Sequence, residues 1–178
     1  LMLPKIFWIK RNKAEVFEKT RYFLTPNDYL IYMLCGRYVT DYLNAVKYHY
    51  DTEERAFPVE LLERLGIPLT SLPEVMDIGE NAGKVRNSLA EKIGINHDAK
   101  VILTSYDAIC SFIGSGVSEE GEASDVSGTV TVYRTLSRKK EVMDSSKIYR
   151  VPLYKENAYI VGGSNNLGGG LIEWVKQC

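Results

Sequence analysis

The chemistry this chain can offer is concentrated at a few polar residues set beside glycines and apolar runs. Asp107 stands between the run Val101-Ile102-Leu103 and the small-residue apolar stretch Ala108 to Ile113. A strand followed by a helix there puts the carboxylate at the carboxyl edge of a sheet, where open α/β folds form their ligand crevices. Such a carboxylate can accept the proton of a substrate hydroxyl while that oxygen attacks a phosphoryl group. Asp is also a favoured helix cap, and on local sequence alone the cap is the stronger of the two readings. Ser127-Gly128-Thr129 enters another strand-like stretch, and its glycine would let backbone N–H groups and the Thr129 hydroxyl approach a phosphate closely. A plain turn fits the same residues, so a phosphate role requires a second anion-binding element nearby. Gly168-Gly169-Gly170 runs directly into a helix, whose free N–H groups and positive end could face phosphate, or whose lack of side chains could admit a nucleotide base. A flexible connector is equally compatible with it. The cluster lacks the Gly-Lys-Ser/Thr of a Walker loop, and neither glycine group fits GxGxxG. His49 and His97 have no neighbouring Cys or second His, so no zinc-type spacing exists and both read as surface or capping residues. No GxSxG elbow supports a Ser-His-Asp triad.

The elements around these residues change in texture along the chain. From Leu3 to about Tyr50 the spacing of Ile6, Phe7, Ile9, Val16 and Phe17 among charged residues predicts a helical layer. Within it Tyr22-Phe23-Leu24 stops at Pro26. Asn27 and Asp28 then offer N-cap oxygens to a helix through Leu34 that Gly36 closes. The tyrosines between Tyr38 and Tyr50 read as amphipathic aromatics with hydroxyls at the rim of the core. Pro58 to Gly66 is a short amphipathic helix; residues 67–83 are connecting loop with at most short strands; Val85 to Ile93 is helical again. Val101 to Leu103, a loop and Ala108 to Ile113 form a strand-loop-helix unit. The Gly-, Ser-, Glu- and Asp-rich stretch from Ser115 to Ser127 reads as a loop at a lobe boundary. Beyond it Thr129 to Tyr133, Tyr149 to Leu153 and Ala158 to Val161 are strand candidates, with Arg138-Lys139-Lys140 as a solvated turn. Gly162 to Gly170 is a loop feeding a final helix. The fold class is α/β, a helical first part followed by a strand-rich second part.

Composition narrows the class of partner. With 178 residues, 45% of them hydrophobic, the chain can bury a sizeable core in one domain or two small lobes. Twenty-two Lys and Arg against 23 Asp and Glu leave a net charge of −1, so no overall basic field points to nucleic acid or an anionic membrane. Three cysteines, Cys35, Cys110 and Cys178, lack CxxC spacing and fit a reducing compartment. No run approaches the ~20 apolar residues of a membrane span, and the start lacks a signal-peptide pattern. The expectation is a cytoplasmic protein acting on a small molecule, with self-association into a homo-oligomer left open. The absence of an initiating Met and the stop inside a running helix suggest an excised piece.

Taken in order, these phrases resemble the FGGY family of carbohydrate kinases, particularly its xylulokinase-like members. The matching pieces are Leu3-Pro4-Lys5-Ile6 with Trp8, Phe23-Leu24-Thr25-Pro26 with Asp28-Tyr29-Leu30, and Gly36. They continue with Thr40-Asp41-Tyr42, Ala45 and Asp51, Leu61-Leu62 with Leu65-Gly66-Ile67, Leu72-Pro73, Asp107 with Gly114, Gly128-Thr129, and Gly169 with Trp174. The resemblance implies a central fragment of a two-lobed, actin-like, ribonuclease-H-like ATPase fold, with sugar and ATP held in the interlobe cleft. Residues 1–117 would be the end of the first lobe and 118–178 the beginning of the second. It implies ATP with Mg²⁺ as cofactors and a sugar or polyol as substrate, with no metal ligand assigned to this segment. Asp107 would be the catalytic base, Gly128-Thr129 a phosphate-contacting turn, and Gly169 with Glu173 a helix start touching the nucleotide. Three positions depart from the family. Ala108 stands where many relatives place Asn or Gln after the catalytic Asp, Glu173 replaces a Gln and offers acceptors only, and Val130 replaces Ser or Gly. The upstream Asp-Gly-Thr phosphate loop and the distal adenosine-binding glycines have no match here, so the chain alone is expected to be inactive. Ala108 and Val130 also suit an alternative, a non-catalytic sugar-binding or regulatory homologue. A third reading makes the likeness one of fold only, with Asp107 a cap and the glycines turns.

Overall fold

A computed structural model describes residues 1–139, 148–153 and 157–178. Packing divides the chain into two compact units, Leu1–Tyr106 and Asp107–Cys178.

In the first unit the expected helical spacing yields α1 (Leu3–Asn12), α2 (Ala14–Lys19) and α3 (Pro26–Cys35). The three-residue spacing of Leu3 and Ile6 puts both on the inner face of α1, where they pack with Phe23, Tyr48, Leu62, Ile67 and Leu72. Each such side chain contributes roughly 1.5–3 kcal/mol by leaving water. α5 (Val59–Leu65) ends at Gly66, whose left-handed φ of 60° suits glycine. Lys10 of α1 donates to the carbonyls of Leu65 and Gly66 at 2.7 and 2.9 Å, so the cation sits where the C-terminal end of α5 leaves acceptors free. The α3 cap differs from expectation. Pro26 takes the first helical position, which its fixed φ and missing N–H suit. The cap is therefore Thr25, one residue before Pro26, and Asp28 completes a reciprocal capping box with it.

The helical layer also stops earlier than the spacing suggested. β1 (Val39–Asp41) pairs in parallel with β2 (Glu74–Met76), and the one-turn α4 (Tyr42–Ala45) follows it. Tyr42 and Tyr48 are not at the rim: they are buried at 6% and 0% exposure. β3 (Asn81–Lys84) pairs antiparallel with β4 (Lys100–Ile102), and α6 (Asn87–Ile93) completes that region. Val39, Ala82, Val85, Ala90, Val101 and Leu103 form its core. β4 is thus half of a two-stranded antiparallel ladder, with Ile102 exposed. The expected crevice at the edge of an open sheet does not arise from this strand.

The second unit opens with α7 (Asp107–Gly114) and then forms an antiparallel sheet of order β5-β6-β8-β7. Its strands are β5 (Ala123–Ser127), β6 (Thr131–Ser137), β7 (Tyr149–Pro152) and β8 (Tyr159–Asn165), and α8 (Gly169–Gln177) closes the chain. Two loops are shorter than the sequence suggested. β5 occupies the end of the acidic stretch, and Ser127 pairs with Thr131 so that residues 128–130 form a hairpin tip. β8 runs through Gly162 and Gly163 to Asn165 before the glycine loop begins. Arg138 and Lys139 follow β6, while Lys140 of the expected basic turn lies outside the described residues. Among the described residues no helix is long and apolar enough to cross a membrane, and Cys35, Cys110 and Cys178 are free thiols.

Candidate active site

The first unit buries an unusual number of polar side chains around α3 and α4. Asp28, 1% exposed, accepts the Thr25 N–H at 2.8 Å and the Tyr48 hydroxyl at 3.3 Å. Asn44 donates to the Thr25 hydroxyl at 3.2 Å, and Lys47 donates to Asn44 Oδ1. Asp41, 2% exposed, caps α4 by accepting the N–H groups of Leu43 and Asn44 at 3.1 and 3.0 Å. The same Oδ1 atom accepts the Ser105 hydroxyl at 2.9 Å. Sequence reasoning missed this cluster. Its signals were the Thr25-x-x-Asp28 capping pattern and an Asp directly before a short apolar turn, both of which also occur at solvent-exposed helix starts.

Burial raises the carboxyl pKa of both Asp28 and Asp41, and for each the hydrogen bonds they accept offset only part of that effect. The folded-state values therefore lie above the unfolded ones. A carboxyl of this kind contributes fully to stability below its unfolded pKa of about 4, and the contribution is lost as pH rises through its folded pKa. Asp28→Asn keeps an acceptor for Thr25 and Tyr48 and cannot ionise. Its melting temperature is expected to match or exceed wild type near about pH 8 and to lose that advantage near about pH 4. Melting curves across this range check it; a constant deficit of the variant at every pH would show that ionisation of Asp28 carries no cost.

In the second unit Asp107 is the first residue of α7 and is exposed. Its Oδ1 accepts the N–H of the next residue, Ala108, at 2.8 Å.

The two glycine groups come together. The amide of Gly169 donates to the Gly128 carbonyl at 2.6 Å, and that of Gly168 to the Thr129 carbonyl at 3.1 Å, so the start of α8 is docked on the β5–β6 hairpin tip. A side chain at Gly168 would meet Gly128 O at 2.7 Å, Thr131 Oγ1 at 2.8 Å and the Val130 carbonyl carbon at 2.9 Å. Glycine is needed there for space. This juxtaposition also corrects the picture of free amides before α8, since those of Gly168 and Gly169 are taken by the tip. What faces outward is the exposed Thr129 and the side-chain-free shelf from Gly169 to Gly170. Glu173, one turn along α8, is exposed and accepts from Lys176 at 2.9 Å.

His49 and His97 are both exposed. Among the described residues no group of three or more His, Cys, Asp or Glu side chains is arranged to hold a metal ion.

Comparison with known proteins finds this chain similar to sugar kinases. The description "FGGY family of carbohydrate kinases, N-terminal domain" matches residues 2–114. A xylulose kinase of Staphylococcus xylosus is 23% identical over 176 residues, covering 98% of this chain and 36% of its own length. The crystal structure of a ligand-bound xylulose kinase from Lactobacillus acidophilus superposes with a TM-score of 0.84 at 27% identity, over 97% of this chain and 35% of that one. Plasmodium falciparum glycerol kinase with ADP shares the fold at a TM-score of 0.80 and 20% identity, over 97% of this chain and 36% of that one. The backbone is thus that of a segment of the actin-like, ribonuclease-H-like kinase fold, and the chain spans about a third of the length of the relatives it matches.

Proposed function

The chain belongs to the FGGY family of carbohydrate kinases, and from that premise we propose that it is the central segment of a cytoplasmic, ATP-dependent, xylulokinase-like kinase for a sugar or polyol hydroxyl. In this reading residues 1–117 end the first lobe, 118–178 begin the second, and Asp107 is the general base. What supports that role for Asp107 is its exposed carboxylate at the start of α7.

Asp107 takes the proton of the substrate hydroxyl as that oxygen bonds to the terminal phosphorus of ATP. The bond from that phosphorus to its bridging oxygen breaks, leaving a phosphate ester and ADP, and Asp107 later gives its proton to solvent. Thr129 and the hairpin tip would steady phosphate, and the shelf at Gly169 would border the nucleotide, with Glu173 beside it. The docked glycines bring Thr129 and the start of α8 side by side, as a ligand bordered by both would require. Mg²⁺ finds no carboxylate cluster among the described residues. It would be carried mainly by the phosphates and water, as this ion commonly is, and no step is assigned to it.

The chain by itself is expected to show no measurable sugar-dependent ADP release, because positioning of the phosphates supplies most of the catalysis in phosphoryl transfer and the matching phosphate loop is not in this sequence. Robust release from the purified chain would refute that. Ala108 and Val130 favour a second reading, a homologue that binds sugar without phosphorylating it. A screen of ketoses, aldonates and polyols against the complete protein, by thermal shift and by ADP release together, separates the two. Stabilisation without turnover supports the second.

A further inference from the structure

The chain that delivers Asp107 is pinned at three of the four residues before it. Leu103 donates its N–H to the Glu80 carbonyl and accepts the Gly79 N–H, both at 2.8 Å. Thr104 is exposed. Ser105, 5% exposed, donates its hydroxyl to Asp41 Oδ1 at 2.9 Å, and its carbonyl lies 3.5 Å from Asn27 Nδ2. The Lys47 ammonium stands 4.5 Å from the centre of the Tyr106 ring, one peptide bond before Asp107. An apolar side chain at 105 could fill the same space. A hydroxyl held by a buried carboxylate instead fixes one torsion and one position, because any displacement leaves a buried polar group unsatisfied. Asp41 is held in turn by the two N–H groups it caps. The anchor is thus rigid from α4 through to Ser105.

We propose that Asp41 and Ser105, with Lys47 against Tyr106, are positioning residues that fix the backbone entering Asp107 and so set the placement of the base. This rests on the general-base reading of Asp107. It adds that part of the transfer rate is built into a hydrogen bond that touches neither sugar nor nucleotide.

In the complete protein, Ser105→Ala should lower kcat by about 10- to 100-fold, the range that a misplacement of order 1 Å produces, with KM for the sugar within about twofold. Ser105→Thr, which keeps the hydroxyl, should recover most of the rate. Asp41→Ala and Ser105→Ala should be strongly non-additive, since each breaks the same bond. A kcat for Ser105→Ala within about twofold of wild type would overturn the proposal, as would a loss that tracks the melting temperature and is not recovered by threonine. If Ser105→Ala does not fold, Lys47→Met replaces it: a several-fold drop in kcat at unchanged KM is expected, and unchanged kcat overturns the proposal. Asp107→Asn keeps the two ideas apart. Wild-type turnover in that variant removes the base reading itself, whereas an inactive Asp107→Asn beside a fully active Ser105→Ala removes only the positioning role.

Discussion

In the complete protein, if Asp107 is the general base, Asp107→Asn is expected to slow phosphoryl transfer by ~10² or more, the range for loss of a positioned base, while sugar and nucleotide affinities stay within about twofold. The substitution is nearly isosteric. An amide oxygen at 107 can still accept the Ala108 N–H that the carboxylate accepts at 2.8 Å, so the first turn of α7 has no reason to change. What is lost is the ability to take a proton. A hydroxyl attacking phosphorus without a base must shed its proton to water during or after bond formation, and the barrier rises accordingly. Rapid-mixing measurement of the first turnover, set beside equilibrium sugar binding, separates the two effects. An unchanged first turnover would exclude Asp107 from proton transfer. A loss confined to binding would make it a substrate-holding group instead.

The second large effect is steric. Gly168→Ala places a methyl group under 3 Å from Gly128 O, Thr131 Oγ1 and the Val130 carbonyl carbon. Two of these neighbours are backbone atoms of a hairpin tip and cannot rotate aside. Overpacking of this kind costs about 1–3 kcal/mol. The cheapest relief is to lift the start of α8 away from the tip, breaking the bonds from Gly168 and Gly169. If Thr129 and Gly169 border the nucleotide together, separating them should weaken ATP binding by about tenfold, equivalent to about 1.4 kcal/mol, with sugar affinity untouched. Gly170→Ala is the internal control. Its methyl group would meet only ordinary contacts at 3.7 Å from Thr129, and alanine suits a helix better than glycine. Titrating nucleotide into both variants decides the matter. Equal affinities for Gly168→Ala and wild type would detach the glycine cluster from nucleotide binding.

Much of the architecture was legible where one residue settles a local choice. Gly36 and Gly66 ended their helices as expected because each takes a left-handed conformation that other residues resist. The strand-loop-helix around Asp107 was readable from the switch between a short apolar run and small-residue helical spacing. Other features depend on partners distant in sequence. β5, Ala-Ser-Asp-Val-Ser, has little strand character of its own and exists because it pairs along β6 from Ala123↔Thr135 to Ser127↔Thr131. Tyr48 looked amphipathic, yet its hydroxyl is satisfied indoors by the Phe23 carbonyl and Asp28. The docking of Gly168 and Gly169 on residues 128–130 spans some forty positions, and no local pattern announces it. The Asp41–Ser105 bond crosses 64 positions and joins two residue types that are common on surfaces.

If this segment serves sugar phosphorylation and the carboxylate at 107 takes the proton, both products must depend on that carboxylate. The complete protein, wild type and Asp107→Asn, is incubated with ATP and the sugar that most stabilises it, and sugar phosphate and ADP are quantified together. Equal amounts of both products, formed by wild type only when sugar is present and nearly abolished in the variant, are predicted. Sugar binding with no phosphate ester, or equal ester formation by both proteins, would contradict that dependence.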